Sequence, residues 1–392
     1  MSDHEIVDIE HHVVANPWKP WVFVHVETAS GYQGVGEATT PRKPETVTTA
    51  IDEVAHRYLG NSPFETERFR LEMYRTEGGM MPHRINMAAM SALDMACWDL
   101  KGKILDQPVY NLLGGSVQGD SLRAYANGWY TDAGGEPEGF AEAATEVVEA
   151  GYDAMKFDPF GAAWLRMERR EIEDAMDIVK AVREAVGPDV DLLIEAHYRF
   201  APGTAVDIAR RLEDFDITWL EQPTPPDNDA ALKRVVEHSS VPVAVDRSPE
   251  SRVNQDLLST GVDILQPDLI YVGGITEAKK IAGMAEAEHL SLAPHNANGP
   301  VSTAACVHLD ATTSNFMIQE VFADFAYQDW ADDLTTRGPA IADGRLQLPD
   351  DPGLGIELDM DVVRDNTYDP STDAEDKLDL FEKEWETRNL GE

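Results

Sequence analysis

Short apolar runs alternate with stretches of helical periodicity through the middle of this chain, and nearly every run closes on a polar residue that can do chemistry. Strand-like segments fall at 122–127, 154–157, 191–196, 217–221, 241–246, 263–266, 290–294 and 316–320. Helical patterns fill the intervals, at 139–150, 170–186, 204–212, 230–238, 255–260 and 277–289 and from Val301 onward. Strands alternating with helices predict a parallel sheet, and eight such units predict a closed α/β barrel whose reactive residues sit at the C-terminal ends of the strands. Those ends carry Asn127, Lys156 and Asp158, Glu195 and His197, Glu221, Asp246, Asp268, His295 and Glu320, so the chain reads as an enzyme.

The region before the barrel has a different pattern. A strand at 22–27, a Gly31-Tyr-Gln-Gly34 turn and a return strand at 34–37 make a hairpin. Helical stretches follow at 45–59 and 86–105, the second with Met87, Met90, Ala92, Leu93 and Ala96 at helical spacing as a core-facing stripe. Pro108 and Gly114-Gly115 close the region. The expected organisation is an N-terminal α+β domain over 1–120, a barrel over 121–345, and a segment over 346–392 that returns to the N-terminal region.

Charge narrows the partners. The formal net charge of −40 repels nucleic acid phosphates and anionic membrane surfaces, so neither is expected to bind. Because 43% of residues are hydrophobic and the periodicity is strong, the acids are read as the coat of a folded protein, as in a halophilic cytoplasm where salt screens self-repulsion. A surface for a basic partner is the rival reading, weakened by the spread of acids along the whole chain. Cys97 and Cys306 lie in apolar helical contexts and suit a reducing compartment. No apolar signal core follows Met1, and no run approaches the roughly 18 apolar residues of a membrane span. A soluble, cytoplasmic protein is expected. Neither a zinc motif nor a nucleotide-binding glycine loop is present in the sequence.

The strand-end acids carry the chemistry. Glu195, Glu221 and Asp246 end successive strands, where they would converge and repel unless a cation sits between them; hard oxygen ligands with room for water select Mg²⁺. The competing reading of each acid alone is a helix cap or an arginine partner. Asp268 ends the strand before His295 and can hold the imidazole's tautomer, making His295 a general base. His197, two residues past a metal ligand, can protonate a leaving group. Glu320 either hydrogen-bonds a substrate carboxylate when protonated or is an ordinary barrel-mouth acid. A divalent cation beside a histidine base suits abstraction of a proton α to a carboxylate. With a hydroxyl on the next carbon, water leaves and a 2-keto-3-deoxy acid results. Asn127, Asp158 and Trp129 are candidate substrate contacts; Trp18, Trp21 and Tyr130 are further pocket candidates, packing being an equal reading for Trp18 and Trp21.

These residues bring a family into view. The chain resembles the enolase superfamily, mandelate racemase subgroup, and within it the sugar-acid dehydratases. The resemblance rests on Trp98-Asp-Leu-Lys-Gly-Lys103, Leu112-Leu-Gly-Gly115 and Pro352-Gly-Leu-Gly355 across the chain. Ile264-Leu-Gln-Pro-Asp268, Gly273-Gly-Ile-Thr276 and Leu292-Ala-Pro-His295 are similar to bacterial galactonate dehydratases. Tyr125-Ala-Asn-Gly-Trp-Tyr130, Lys156-Phe-Asp-Pro-Phe-Gly161 and Leu193-Ile-Glu-Ala-His197 are similar to archaeal gluconate dehydratases.

The resemblance implies a modified TIM barrel, (β/α)₇β, under an N-terminal α+β cap, in a symmetric assembly built from dimers and reaching an octamer. It implies Glu195 and Glu221 as metal ligands, His295 with Asp268 as base, His197 as acid and Glu320 as the acid at the substrate carboxylate. Lys156 matches the first lysine of a Lys-x-Lys racemase motif whose second lysine is replaced by Asp158, which argues against symmetric racemisation. Where relatives carry a third ligand in Gly-Glu-Arg, this chain has Val245-Asp-Arg-Ser248. Counting without gaps puts Arg247 at the ligand position, so Asp246 serves only with a one-residue shift, with Glu250 or a water as fallback. The expected substrate is D-gluconate, with D-galactonate beside it. Pentonates such as D-xylonate or L-arabinonate, an epimerase using His295 and Lys156, and a weakly metal-binding barrel are the alternatives.

Overall fold

Apolar and β-branched residues dominate Trp21–Thr28, and this segment forms the centre of a small antiparallel sheet. In the computed structural model, which describes residues 4–16, 19–76, 83–246, 255–322 and 329–370, β1 (Ile6–Val14) pairs with β2 (Trp21–Thr28) and β2 with β3 (Gln33–Glu37). The hydrophobic pattern did not predict β1, because its middle, Asp8 to His12, is charged and only its end residues Ile6 and Val14 are fully buried.

Helices α1 (Pro44–Ala55), α2 (Thr66–Thr76), α3 (Arg84–Leu105) and α4 (Val109–Leu112) complete this layer. Of the expected stripe of α3, Met90, Ala92, Leu93 and Ala96 are buried and Met87 partly so, with Ala92 and Ala96 packed on β3. Glycine permits that approach: a Cβ on Gly36 would lie 1.9 Å from the Ala92 carbonyl oxygen.

The eight expected barrel strands follow. They are β4 (Ser121–Ala126), β5 (Ala154–Phe157), β6 (Asp191–Glu195), β7 (Ile217–Glu221), β8 (Val243–Val245), β9 (Ile264–Leu265), β10 (Ser291–Leu292) and β11 (Gln319–Val321). Consecutive strands pair in parallel from β4 to β10, and β11 pairs with β4. A parallel bridge from Leu292 to Phe316 completes the circle. Each strand or its flank sends one side chain inward, from Tyr125, Ala154, Leu193, Trp219, Ala244, Ile264, Ala293 and Ile318, so the barrel is filled.

Outside lie α5 (Pro137–Glu149), α6 (Arg169–Val186), α7 (Pro202–Leu212), α8 (Asp229–Val236), α9 (Gln255–Leu258), α10 (Leu269–Val272), α11 (Gly274–Ala287) and α12 (Pro300–Ala311). The sequence pattern began a helix at Glu277 and showed nothing before it. Instead Asp268 caps a one-turn α10 through the Ile270 amide, and left-handed Gly273 and Gly274 turn the chain directly into α11.

The last strands tie both regions together. β12 (Thr335–Arg337) pairs with β15 (Glu357–Leu358), while β13 (Ile341–Ala342) and β14 (Arg345–Gln347) form a hairpin whose second strand lies antiparallel to the start of β4. Beyond it, Leu354 donates to Asp99 in α3 at 2.8 Å and Thr367 bridges Val14. The N-terminal layer covers the barrel mouth: Glu37, at the end of β3, accepts from the Gly299 and Ser302 amides that begin α12, at 2.6 and 2.8 Å. No helix among the described residues is long and apolar enough to cross a membrane.

Candidate active site

The registers of the barrel place the strand-end residues side by side. Glu195 lies opposite Glu221 in the β6–β7 pairing, and Lys156, one strand earlier, points into the same space. Its ammonium sits 2.6 Å from Glu221, 2.8 Å from Glu320 and 3.6 Å from Glu195, with 2% of the side chain exposed. Burial opposes that charge, but Glu221 and Glu320 outweigh it and raise the Lys156 pKa well above its usual value. A lysine held in this way is a fixed cation and has no lone pair to accept a proton.

Glu221 is held on both oxygens. Trp219 Nε1 and Gln266 Nε2 donate to its second oxygen at 2.9 and 2.8 Å. Burial and the neighbouring Glu195 carboxylate push its pKa up to about 8. Two buried carboxylates in contact, one of them inclined to keep a proton, form a donor set for a hard cation, since Mg²⁺ is commonly held by one or two carboxylates with water and substrate completing the shell. Asp246 follows β8 and accepts a hydrogen bond from the Tyr198 hydroxyl on its backbone oxygen. No group of three acid, histidine or cysteine side chains among the described residues is placed to hold an ion, so the structure brings together Glu195 and Glu221 without Asp246. Arg247 and Glu250 lie outside the described residues, as does Trp18.

Two histidine–aspartate pairs face the mouth. His295 Nδ1 is 2.9 Å from Asp268, and its Nε2 lies 4.0 Å from Glu320. Burial works against protonation of His295, but Glu320 and Asp268 raise its pKa to about 9. Glu320, although buried, is held down at about 2 by Lys156 and His295; it also accepts from the Asn296 amide and from Asn127 Nδ2, each at 2.7 Å.

His197 Nδ1 is 2.6 Å from Asp158, and both Asp158 oxygens also take Arg199 Nη2 at 2.5 Å. Burial lowers the His197 pKa against the pull of Asp158. His197 and Tyr198 have φ of +45° and +61°, a strained pair held by Tyr198 N donating to the Gln222 carbonyl at 2.7 Å. In the closed barrel β6 and β10 are four strands apart, so His197 and His295 face each other across the mouth.

The remaining candidates are used differently. Asn127 serves Glu320, and Asp158 is engaged by His197 and Arg199. Trp129 donates Nε1 to the Lys156 carbonyl at 2.9 Å and packs on Phe140 and Phe157, in the layer between strands and helices. Tyr130 packs there too, stacked on Phe140, and Trp21 is buried at the hairpin beside Phe23. Sequence reasoning missed Arg199, although it lies two residues past His197, and Gln266, although it sits inside the quoted Ile264-Leu-Gln-Pro-Asp268 stretch. It also missed Lys19 and Arg84. Arg84, at the start of α3, lays its guanidinium 3.9 Å from the Tyr271 ring centre and lies in the field of Asp246 and Asp268.

With this geometry in hand, relatives can be compared. Residues 9–114 match the mandelate racemase / muconate lactonizing enzyme N-terminal domain, and residues 139–362 match the enolase C-terminal domain-like family. A D-gluconate/D-galactonate dehydratase from Picrophilus torridus is 38% identical over 361 residues, which is 91% of this chain and 90% of that protein. A D-xylonate dehydratase from Haloferax volcanii is 34% identical over 385 residues, 95% of this chain and 91% of that protein. The crystal structure of a mandelate racemase/muconate lactonizing enzyme from Sulfitobacter sp. superposes with a TM-score of 0.87 at 32% identity, covering 93% of this chain and 96% of that one.

Proposed function

The chain belongs to the mandelate racemase/muconate lactonizing enzyme family of the enolase superfamily, and from that premise we propose that it is a Mg²⁺-dependent sugar-acid dehydratase. Its substrate is D-gluconate, with D-galactonate beside it, and its product a 2-keto-3-deoxy acid. The observation that carries the reading is the pair of histidines, each oriented by a buried aspartate, on opposite walls of a mouth floored by carboxylates.

Each ionised aspartate accepts the Nδ1–H hydrogen bond of its histidine, which turns Nε2 toward the substrate. His295 takes the C2 proton, and His197 gives a proton to the C3 hydroxyl as the C–O bond breaks. Water leaves, and the enol left behind tautomerises to the 2-keto acid. Glu195 and Glu221 would hold the cation, with Asp246 as third ligand after a local shift. When bound, the cation neutralises charge that builds on the substrate carboxylate. Lys156 is a fixed charge that keeps Glu221 and Glu320 in place, which argues against the epimerase reading that would use it as a second base.

A panel of hexonates and pentonates incubated with Mg²⁺ in molar KCl, with the 2-keto-3-deoxy product trapped by semicarbazide, tests the proposal. Turnover of D-gluconate, lost on adding EDTA, supports it. Turnover confined to pentonates favours the second reading, D-xylonate, which the 95% coverage of this chain by the Haloferax volcanii relative keeps in play. A folded protein with no turnover across the panel refutes the reaction class.

A further inference from the structure

The segment that links β10 to α12 carries His295 at one end, and two side chains of the cap grip its far half. Glu37 accepts from the Gly299 and Ser302 amides. Lys19, 2% exposed, reaches into the barrel mouth, where its ammonium donates to the Ala297 carbonyl at 2.6 Å and to Asn298 Oδ1 at 2.7 Å. The other end of the same amide, Asn298 Nδ2, lies 3.2 Å from both oxygens of Asp268, and Asp268 lies 2.9 Å from His295 Nδ1.

An amide has one accepting and one donating end, and its neighbours decide which way it points. Here the ammonium holds the oxygen, so the NH₂ must face the carboxylate. Without the ammonium the amide oxygen loses its charged donor, and an amide turned the other way would set its oxygen against Asp268 and loosen the carboxylate's grip on the imidazole. Burial lowers the Lys19 pKa to about 8, with Asp268, Glu37 and Glu320 pulling it up and Arg84 pushing it down, so the ammonium form still predominates at pH 7.

We propose that Lys19 is a positioning residue: through Asn298 and Asp268 it sets the orientation of the His295 base, so that the base is assembled only when the cap is seated on the barrel. The inference rests on the assignment of His295 as the base. Cap docking and proton abstraction are thereby linked through a chain of side-chain hydrogen bonds.

The test measures C2 deuterium exchange and dehydration of the sugar acid turned over in the panel above, using full-length Lys19→Met, Lys19→Arg, Asn298→Ala and the Lys19→Met/Asn298→Ala double variant. Lys19→Met is expected to slow exchange on the order of 10- to 100-fold, the cost of a misplaced reacting group. KM should stay within about 2-fold, because no substrate contact is lost. Lys19→Arg should recover most of the rate, and the double variant should be no slower than the slower single, since both act through one path. Unchanged exchange in Lys19→Met, a raised KM with kcat intact, or losses that multiply in the double variant would each overturn the inference. If Lys19→Met does not fold, Asn298→Ala carries the test, and wild-type exchange in it overturns the relay. His295→Asn is measured alongside: exchange surviving there refutes the base assignment itself, whereas exchange lost there but intact in Lys19→Met refutes only the role of Lys19.

Discussion

Binding of Mg²⁺ should expel close to one proton at neutral pH, and Glu221 is the source. Its pKa is pushed to about 8 by burial and by Glu195. A group raised in this way is mostly protonated at pH 7, and a carboxylate must lose its proton to serve as a ligand. Lys156 stays charged throughout, because its own pKa is raised, so it contributes no proton. The sign follows: apparent affinity climbs about tenfold per pH unit below pH 8 and levels off above it. Titration calorimetry at pH 7 in buffers of different ionisation enthalpy reads the stoichiometry directly, as a slope clearly above zero in the sense of release. Glu221→Gln, which keeps the shape and has no proton to lose, should bind more weakly and with a flat buffer dependence. A slope near zero in the unmodified protein, or an undiminished slope in Glu221→Gln, would refute the argument.

Other outcomes follow from the same geometry. His295→Asn should abolish both C2 exchange and dehydration, whereas His197→Asn should lose dehydration and keep exchange; exchange undiminished in the first variant sinks the base assignment. Lys156→Met strips the counter-ion from buried, ionised Glu320, so denaturant unfolding in EDTA should show a loss of about 3–5 kcal/mol, and a change under 1 kcal/mol would mean that Glu320 simply takes up a proton. Added KCl should lower KM for the anionic sugar acid, because the net charge of −40 repels it and salt screens that repulsion; a KM that rises with salt in the usual attractive sense contradicts this.

Much of the barrel was legible because its signal is local and repeated. Each strand is a short apolar run, each helix has its own period, and the strand ends fall within a residue or two of the runs. For the same reason Glu195, Glu221, Asp268, His295 and Glu320 could be picked out as strand-end residues. Features that escaped depend on contacts between distant parts of the chain. β1 has a charged middle and is a strand because β2 offers it partners. Trp129 looked like a mouth residue from its place after β4, yet an indole is large enough to swing behind the strand and pack with Phe140 and Phe157. Lys19 gave no signal at all, since its partners Ala297 and Asn298 are 278 and 279 residues away.

The distribution of charge at the mouth supports the proposal that a cation takes part in the chemistry of this chain. An anionic substrate must enter a protein with a net charge of −40, yet the nearby fixed cations are already committed. Lys156 is shared among Glu195, Glu221 and Glu320; Arg199 is fixed on Asp158; Lys19 lies in the field of Asp268 and Glu37. Each of these cations is matched or outnumbered by acids, so none offers the sugar acid an uncommitted positive charge. Attraction must then come from groups whose state changes. His295 supplies one while protonated and gives it up in becoming the base, so it cannot both attract the carboxylate and abstract the proton. The Glu195–Glu221 pair would supply the other, because two carboxylates that exchange a proton for a divalent ion would gain positive charge at the floor of the mouth without spending the base.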